Sequence, residues 1–177
     1  MKIYKNINLK NKDVSLKLID KTYITKGYHK WINQKNNNQF LHYKIKYSKK
    51  DLELYISNSK PPFCYFFAIH DRQTSKYVGN IRLSSIDYDH KTATYGRMIG
   101  DKNASGKGYG SSALKLVSKF AFNYLKLNKI HTGVVEKNLA SIKSNLNAGA
   151  RIQGIILNNY FDGKKYLNTI LFSIDKK

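Results

Sequence analysis

With 177 residues, 41% of them hydrophobic and 13% aromatic, the chain has material for one domain with a sizeable core, so disorder is not its default. Its 32 basic residues outweigh 11 acidic ones, a net charge of +21 that exclude neither nucleic acid, ribosomes, anionic lipid nor small phosphorylated molecules as attracted partners. What composition does exclude is a membrane-spanning helix, which needs about 20 consecutive apolar residues, and an internal disulfide, since Cys64 stands alone. The start of the chain lacks the apolar core of a secretory signal, and the expected location is cytoplasmic. The positive charge is nearly all lysine, spread along a chain rich in Lys, Asn, Ile and Tyr. An AT-rich genome would encode such a chain, so coding bias and capture of an anionic ligand both remain open. Only Arg72, Arg82, Arg97 and Arg151 offer the planar fork suited to bidentate contacts.

Alternation from Val14 to Ile19 predicts a first strand. Tyr23, Ile24, Tyr28, Trp31 and Ile32 predict a helix over Lys21 to Gln34, and Asn36-Asn37-Asn38 reads as loop. A shorter helix is expected from Lys49 to Ile56, closed by Asn58 and the prolines Pro61-Pro62. Phe63 to Ile69 is a buried strand by its unbroken apolar run, followed by strands over Tyr77 to Ile86 and Thr92 to Ile99. Ala113, Leu116 or Val117, Phe120 and Tyr124 repeat at helical spacing. A fifth strand is expected over Ile130 to Val135. Asn138 then caps a helix over Leu139 to Ala148, which Gly149 stops. Strands over Arg151 to Leu157 and Tyr166 to Ile174 flank a turn at Asp162-Gly163. The sum is an α/β (α+β) domain over residues 1–177, with a mixed sheet of about seven strands and four helices.

The run Ser105-Gly106-Lys107-Gly108-Tyr109-Gly110-Ser111 lies between the fourth predicted strand and its helix. Glycines remove the Cβ atoms that hold an anion away, and the helix N-terminus supplies open N–H groups and partial positive charge. The G-x-G-x-G spacing fits neither a dinucleotide fingerprint nor a P-loop, whose lysine would directly precede the serine. A phosphate-bearing ligand is expected there.

Gly106-Lys107-Gly108-Tyr109-Gly110 opening a helix, with Asn138, Ser141, Ile142 and Gly149 downstream, resembles the GNAT superfamily of N-acetyltransferases. Trp31-Ile32-Asn33, Tyr77-Val78-Gly79-Asn80-Ile81, Met98-Ile99-Gly100-Asp101-Lys102 and the closing Gly163 to Asn168 extend the resemblance over about Val14 to Ile174. It points to the branch of ribosomal-protein N-terminal and small-amine or nucleotide-amino-sugar acetyltransferases. The resemblance implies a sheet splayed between its fourth and fifth predicted strands, acetyl-CoA as donor and a primary amine as acceptor. The diphosphate would rest on the amides of Gly106, Lys107, Gly108, Tyr109, Gly110 and Ser111, beside Ser105. The pantetheine arm would bond main-chain groups near Met98, Ile99 and Gly100, with Asn138 on its other side.

Three positions depart from the pattern: Ser105 replaces a Gln or Arg, Thr94 a glutamate, and Asn145 the tyrosine that protonates the departing thiolate. Ser141 and Ser144 on the same helix remain candidates for that proton relay, beside Asn145. Glu136, at a strand end, is a candidate base that a helix start would equally explain. Asp87 and Asp89 read as turn formers, and His90 sits in that turn. Trp31 and Asn33 are candidate walls of the acceptor pocket, and Tyr95 faces either cleft or core. No metal-ligand spacing occurs, so no metal is expected. The acceptor expected from this branch is a small amine such as a nucleotide-linked amino sugar. The rivals are a protein N-terminus, a non-catalytic acetyl-CoA sensor and a basic nucleic-acid-binding module. A homodimer is compatible with all of them.

Overall fold

The apolar runs become one eight-stranded sheet in the computed structural model, which describes residues 4, 7–40 and 45–177. The strands are β1 (Asn8–Lys10), β2 (Val14–Leu18), β3 (Tyr65–Asp71), β4 (Tyr77–Asp87), β5 (Thr92–Ile99), β6 (Lys129–Val135), β7 (Arg151–Phe161) and β8 (Tyr166–Asp175). The helices are α1 (His29–Ile32), α2 (Lys35–Asn38), α3 (Lys49–Asn58), α4 (Tyr109–Asn123) and α5 (Leu139–Asn147). Across the sheet the order is β1-β2-β3-β4-β5-β6-β8-β7, antiparallel except where β5 meets β6. That parallel ladder has three rungs, Thr92 to Lys129, Ala93 to Ile130 and Thr94 to His131, and stops. Beyond Thr94 the strands part, as the resemblance implies. Among the described residues no helix is long and apolar enough to cross a membrane.

The expected sheet of about seven strands gains one, β1, a three-residue strand, Asn8-Leu9-Lys10, too short to show alternation. Two expectations need correction. The first helix is not continuous: Ile24–Tyr28 forms a wide π-type turn, and Gly27 breaks it at φ 151° before α1 begins. A Cβ on Gly27 would lie 2.8 Å from the Trp31 ring, so glycine here serves the close approach of the indole as well as the kink. Asn36-Asn37-Asn38, expected as loop, completes the single turn of α2, with Asn37 Nδ2 donating to Trp31 O at 3.0 Å.

Local chemistry explains the remaining helices. Ser48 Oγ accepts from Asp51 N at 3.1 Å while Asp51 Oδ2 accepts from Ser48 N at 2.7 Å, a capping box that starts α3. Hydrogen bonding from the side chain and then the main chain of Ser48 holds the Asp51 carboxyl below the usual carboxylate range. In α4 the residues Ala113, Leu114, Val117, Phe120 and Ala121 fall on one face and bury it against β2 to β5. Phe120 sits edge-on to Tyr65 and Phe67 at ring separations of 4.9 and 5.9 Å. A second apolar layer, with Ile24, Tyr28, Leu52, Ile56 and Phe66, covers the opposite face. The strand β3 lies between both layers, which is why its sequence is apolar without alternation.

Candidate active site

At the start of α4 the chain presents an uncapped helix end. Gly108 is the N-cap residue at φ 80°, and Gly106 lies at φ 77°; both are left-handed conformations that a side chain would strain. The space above Gly106 is empty, and the atom nearest a Cβ on Gly108 would be Ser111 Oγ at 3.9 Å. Among the described residues the amides of residues 106 to 111 have no acceptor: the ladder of α4 begins with Ser112 N donating to Gly108 O at 3.0 Å. Neighbouring side chains are turned away. The Tyr109 hydroxyl donates to Asp71 Oδ2 at 2.6 Å, the Ser111 hydroxyl to Gly108 O at 2.8 Å and the Ser112 hydroxyl to Asp13 Oδ2 at 2.6 Å. These bonds anchor the loop. Lys102 and Lys107 are exposed on the same loop. A helix end of this kind, with open N–H groups and partial positive charge, favours anions.

Next to it lies a wedge-shaped cavity of about 220 Å³ between β5, β6 and α5, lined by Tyr95, Arg97, Val134, Asn138, Ser141 and Asn145 among others. Its floor exists because β5 and β6 separate after Thr94. Gly100 N donates to Val78 O at 3.0 Å, so strand alternation turns the main-chain groups of Met98 and Gly100 toward β4. The same alternation leaves those of Ile99, Arg97 and Tyr95 facing the wedge. Of the three expected contacts for a pantetheine arm, Ile99 is therefore the one on the open edge. On the far wall, Asn138 caps α5 by accepting from Ser141 N at 3.2 Å through Oδ1. Phe40 also lines the cavity and packs with Val135, Tyr160 and Leu167.

The wedge also contains a polar cluster. Asn145, fully buried, accepts through Oδ1 from the Tyr95 hydroxyl at 2.9 Å and from Arg97 Nη1 at 3.0 Å, and donates through Nδ2 to Ser141 O at 3.0 Å. Burial pushes the Tyr95 phenol up to about 12, an effect that Arg97 partly offsets. Tyr95 thus answers to both expectations: its ring belongs to the core and its hydroxyl reaches the cavity. Gly110 sits where α4 and α5 meet, and a Cβ there would press within 3.0 Å of Ser144 Oγ and 3.3 Å of Arg97 Nε.

A family model for an acetyltransferase (GNAT) domain matches residues 18–151. The chain belongs to the GNAT acetyltransferase family. The Bacillus subtilis (strain 168) protein named "Probable N-acetyltransferase YjcK" is 30% identical over 119 residues, 67% of this chain and 65% of that protein. The spermidine N(1)-acetyltransferase of Escherichia coli (strain K12) is 26% identical, over 60% of this chain and 61% of its own length. The chain thus spans just under two thirds of these curated relatives. Its fold superposes on that of the spermidine N-acetyltransferase from Vibrio cholerae, crystallised with CoA and spermine, with a TM-score of 0.82 at 21% identity, over 93% and 96% of the two chains.

Within this GNAT domain the sequence-derived candidates separate. Ser141 lies in the wedge, and its carbonyl holds both Asn145 and Arg97. Ser144 instead points its buried hydroxyl at the α4–α5 crossing, where it has no hydrogen-bond partner among the described residues. Glu136 is occupied elsewhere: its carboxylate accepts from Asn168 N at 3.1 Å and Asn168 Nδ2 at 3.0 Å, tying β6 to β8. Asn33 spends its amide on His29 O, Tyr47 O and Tyr47 N, each at 2.9 Å, which fastens the chain before α3 rather than walling a pocket. Trp31 is buried over Gly100, where a Cβ would meet its ring at 2.2 Å, and against Tyr77 at 4.6 Å. Thr94, in place of the glutamate, bonds Ser84 Oγ and Ser84 O across β4, both at 3.1 Å. His90 pairs with Asp87 at 2.9 Å on the exposed turn, so that carboxylate raises its pKa. Arg97 is the residue that sequence reasoning left out of the site. Its signal was parity: it falls on the same face of β5 as the inward-facing Ala93 and Tyr95.

Proposed function

We propose that this chain is an acetyl-CoA-dependent N-acetyltransferase that passes the acetyl group directly to a primary amine. The six open amides at the start of α4, standing at the mouth of the β5–β6 wedge, carry this reading. The diphosphate of acetyl-CoA rests on residues 106–111, with Ser105 and the exposed lysines beside it. The arm follows the open edge of β5, with Asn138 opposite. The thioester then lies near Tyr95, Arg97 and Asn145. Direct transfer suits the chain because its one cysteine, Cys64, is buried on the α3 side, where Sγ accepts from Arg82 Nε at 3.1 Å. Alkyl amines with pKa near ~10 must shed a proton first, and no residue lining the wedge is a carboxylate, so water removes it.

The acceptor we infer is a small amine whose remainder carries negative charge, such as a nucleotide-linked amino sugar. Polyamines, the acceptors named for the similar spermidine enzymes, are cations, and a chain of net charge +21 with no acid in its wedge repels them. Release of free thiol from acetyl-CoA is the test, measured against nucleotide amino sugars, spermidine and N-terminal peptides. Turnover is expected with the anionic amines and at most a tenth of that with spermidine. Thiol release from none of them supports the sensor reading instead.

A homodimer through β7 belongs to the same reading. β7 is an edge strand, and Ile152, Ile155, Ile156 and Leu157 stand 43–69% exposed along it, more apolar surface than an isolated edge tolerates. Gel filtration with light scattering should give twice the chain mass for the wild type and a monomer for Ile155→Lys. A monomeric wild type at micromolar concentration removes the dimer.

A further inference from the structure

We propose that Arg97 is a catalytic residue that receives the sulfur of coenzyme A as a thiolate. This inference rests on the donor reading above and assigns the leaving-group chemistry that Asn145 cannot perform.

Arg97 leaves β5 three residues past the last rung shared with β6 and enters the wedge. Its guanidinium is fixed at two points on α5, donating from Nη1 to Asn145 Oδ1 at 3.0 Å and from Nη2 to Ser141 O at 3.3 Å. Both partners are neutral. Among the described residues no carboxylate pairs with it, and burial already disfavours its charged form. A desolvated cation bonded only to neutral acceptors attracts whatever anion forms beside it, and guanidinium does not surrender its proton. Among the described residues its other N–H groups have no hydrogen-bond acceptor besides the Tyr95 hydroxyl.

The reaction makes such an anion there. The amine nitrogen adds to the thioester carbonyl, and the proton it sheds goes to water. When the adduct collapses, the C–S bond breaks and sulfur leaves with the bonding pair. The Asn145 amide has no proton to give. Tyr95 keeps its own: its hydroxyl already donates to Asn145, and a phenol near 12 is a weaker acid than a thiol near ~8.5 by roughly a thousandfold or more. A thiolate facing a fixed guanidinium needs no immediate proton and takes one from water on release. In this wedge charge pairing replaces general-acid catalysis.

The thiol of bound coenzyme A reports this directly, independently of turnover. Among the described residues Tyr95 is the other titratable group lining the wedge, its phenol pushed up to about 12, and the lining from β6 and α5 is neutral. The experiment titrates the ultraviolet absorbance of the thiolate in the coenzyme A complex, with the desulfo-coenzyme A complex as blank to cancel Cys64. In the wild type the bound thiol should ionise at least one pH unit below the free one. Arg97→Gln should return it to the free value or above, whereas Arg97→Lys, which keeps a cation, should retain part of the drop. Affinity of Arg97→Gln for desulfo-coenzyme A should stay within about twofold, while kcat falls about 100-fold. A wild-type complex whose thiol titrates at or above the free value overturns the assignment and leaves the donor site standing. Failure of the wild type to bind either carrier overturns both.

Discussion

Replacing Gly108 by valine is expected to weaken coenzyme A binding by about 30-fold or more while the fold survives. Gly108 holds φ 80° at the N-cap of α4, where an L-residue costs roughly 1–2 kcal/mol and a β-branched one sits at the upper end or beyond. If the chain keeps this conformation, the added methyl groups stand over the open amides of residues 106–111. If it relaxes to negative φ, the amides no longer converge. Either way about 2 kcal/mol of binding is lost, which is the 30-fold stated. The fold is spared because the space around Gly108 is open, with no atom nearer than 3.9 Å to the new Cβ. Titration calorimetry with coenzyme A gives the affinity, and a thermal melt checks the fold. Undiminished affinity in a folded Gly108→Val would mean that the diphosphate lies elsewhere.

The largest stability effect is expected at Phe120. Its side chain is 1% exposed, and its ring touches those of Tyr4, Tyr65, Phe67 and Tyr124 at 4.9 to 6.0 Å. Phe120→Ala removes the ring by which α4 packs edge-on against Tyr65 and Phe67 of β3 and leaves a void there. Such truncations cost about 3–5 kcal/mol, and for a chain of this length each kcal/mol lowers Tm by about 2–4 °C. The melting temperature followed by far-ultraviolet circular dichroism should therefore fall by roughly 6–20 °C. A drop under 3 °C would show that the helix is held chiefly by its polar anchors, Tyr109 to Asp71 and Ser112 to Asp13.

The parts of the molecule legible in its sequence are those whose cause is local. Strands β2 to β8 follow from hydrophobic runs and turn residues, α5 from Asn138 and Gly149, and the open start of α4 from three alternating glycines. What escaped depends on partners distant in the chain. The break before α1 arises because the Trp31 ring must pass over both Gly27 and Gly100, which no helical periodicity encodes. Asn33 and Glu136 looked available for chemistry because their partners, Tyr47 and Asn168, meet them only after folding. Arg97 was masked in the opposite sense. In a chain with 32 basic residues one more cation carries no information until its surroundings are known to hold no acid.

The short β5–β6 ladder has a mechanical consequence. Strands β1 to β5 and strands β6, β8 and β7 are two rafts moored to each other by three rungs at one end. A carrier lying along the free edge of β5, with Asn138 on its other flank, is a plank laid across that gap. On the proposed placement of coenzyme A, loading would brace the two halves against each other, and discharge would release that brace.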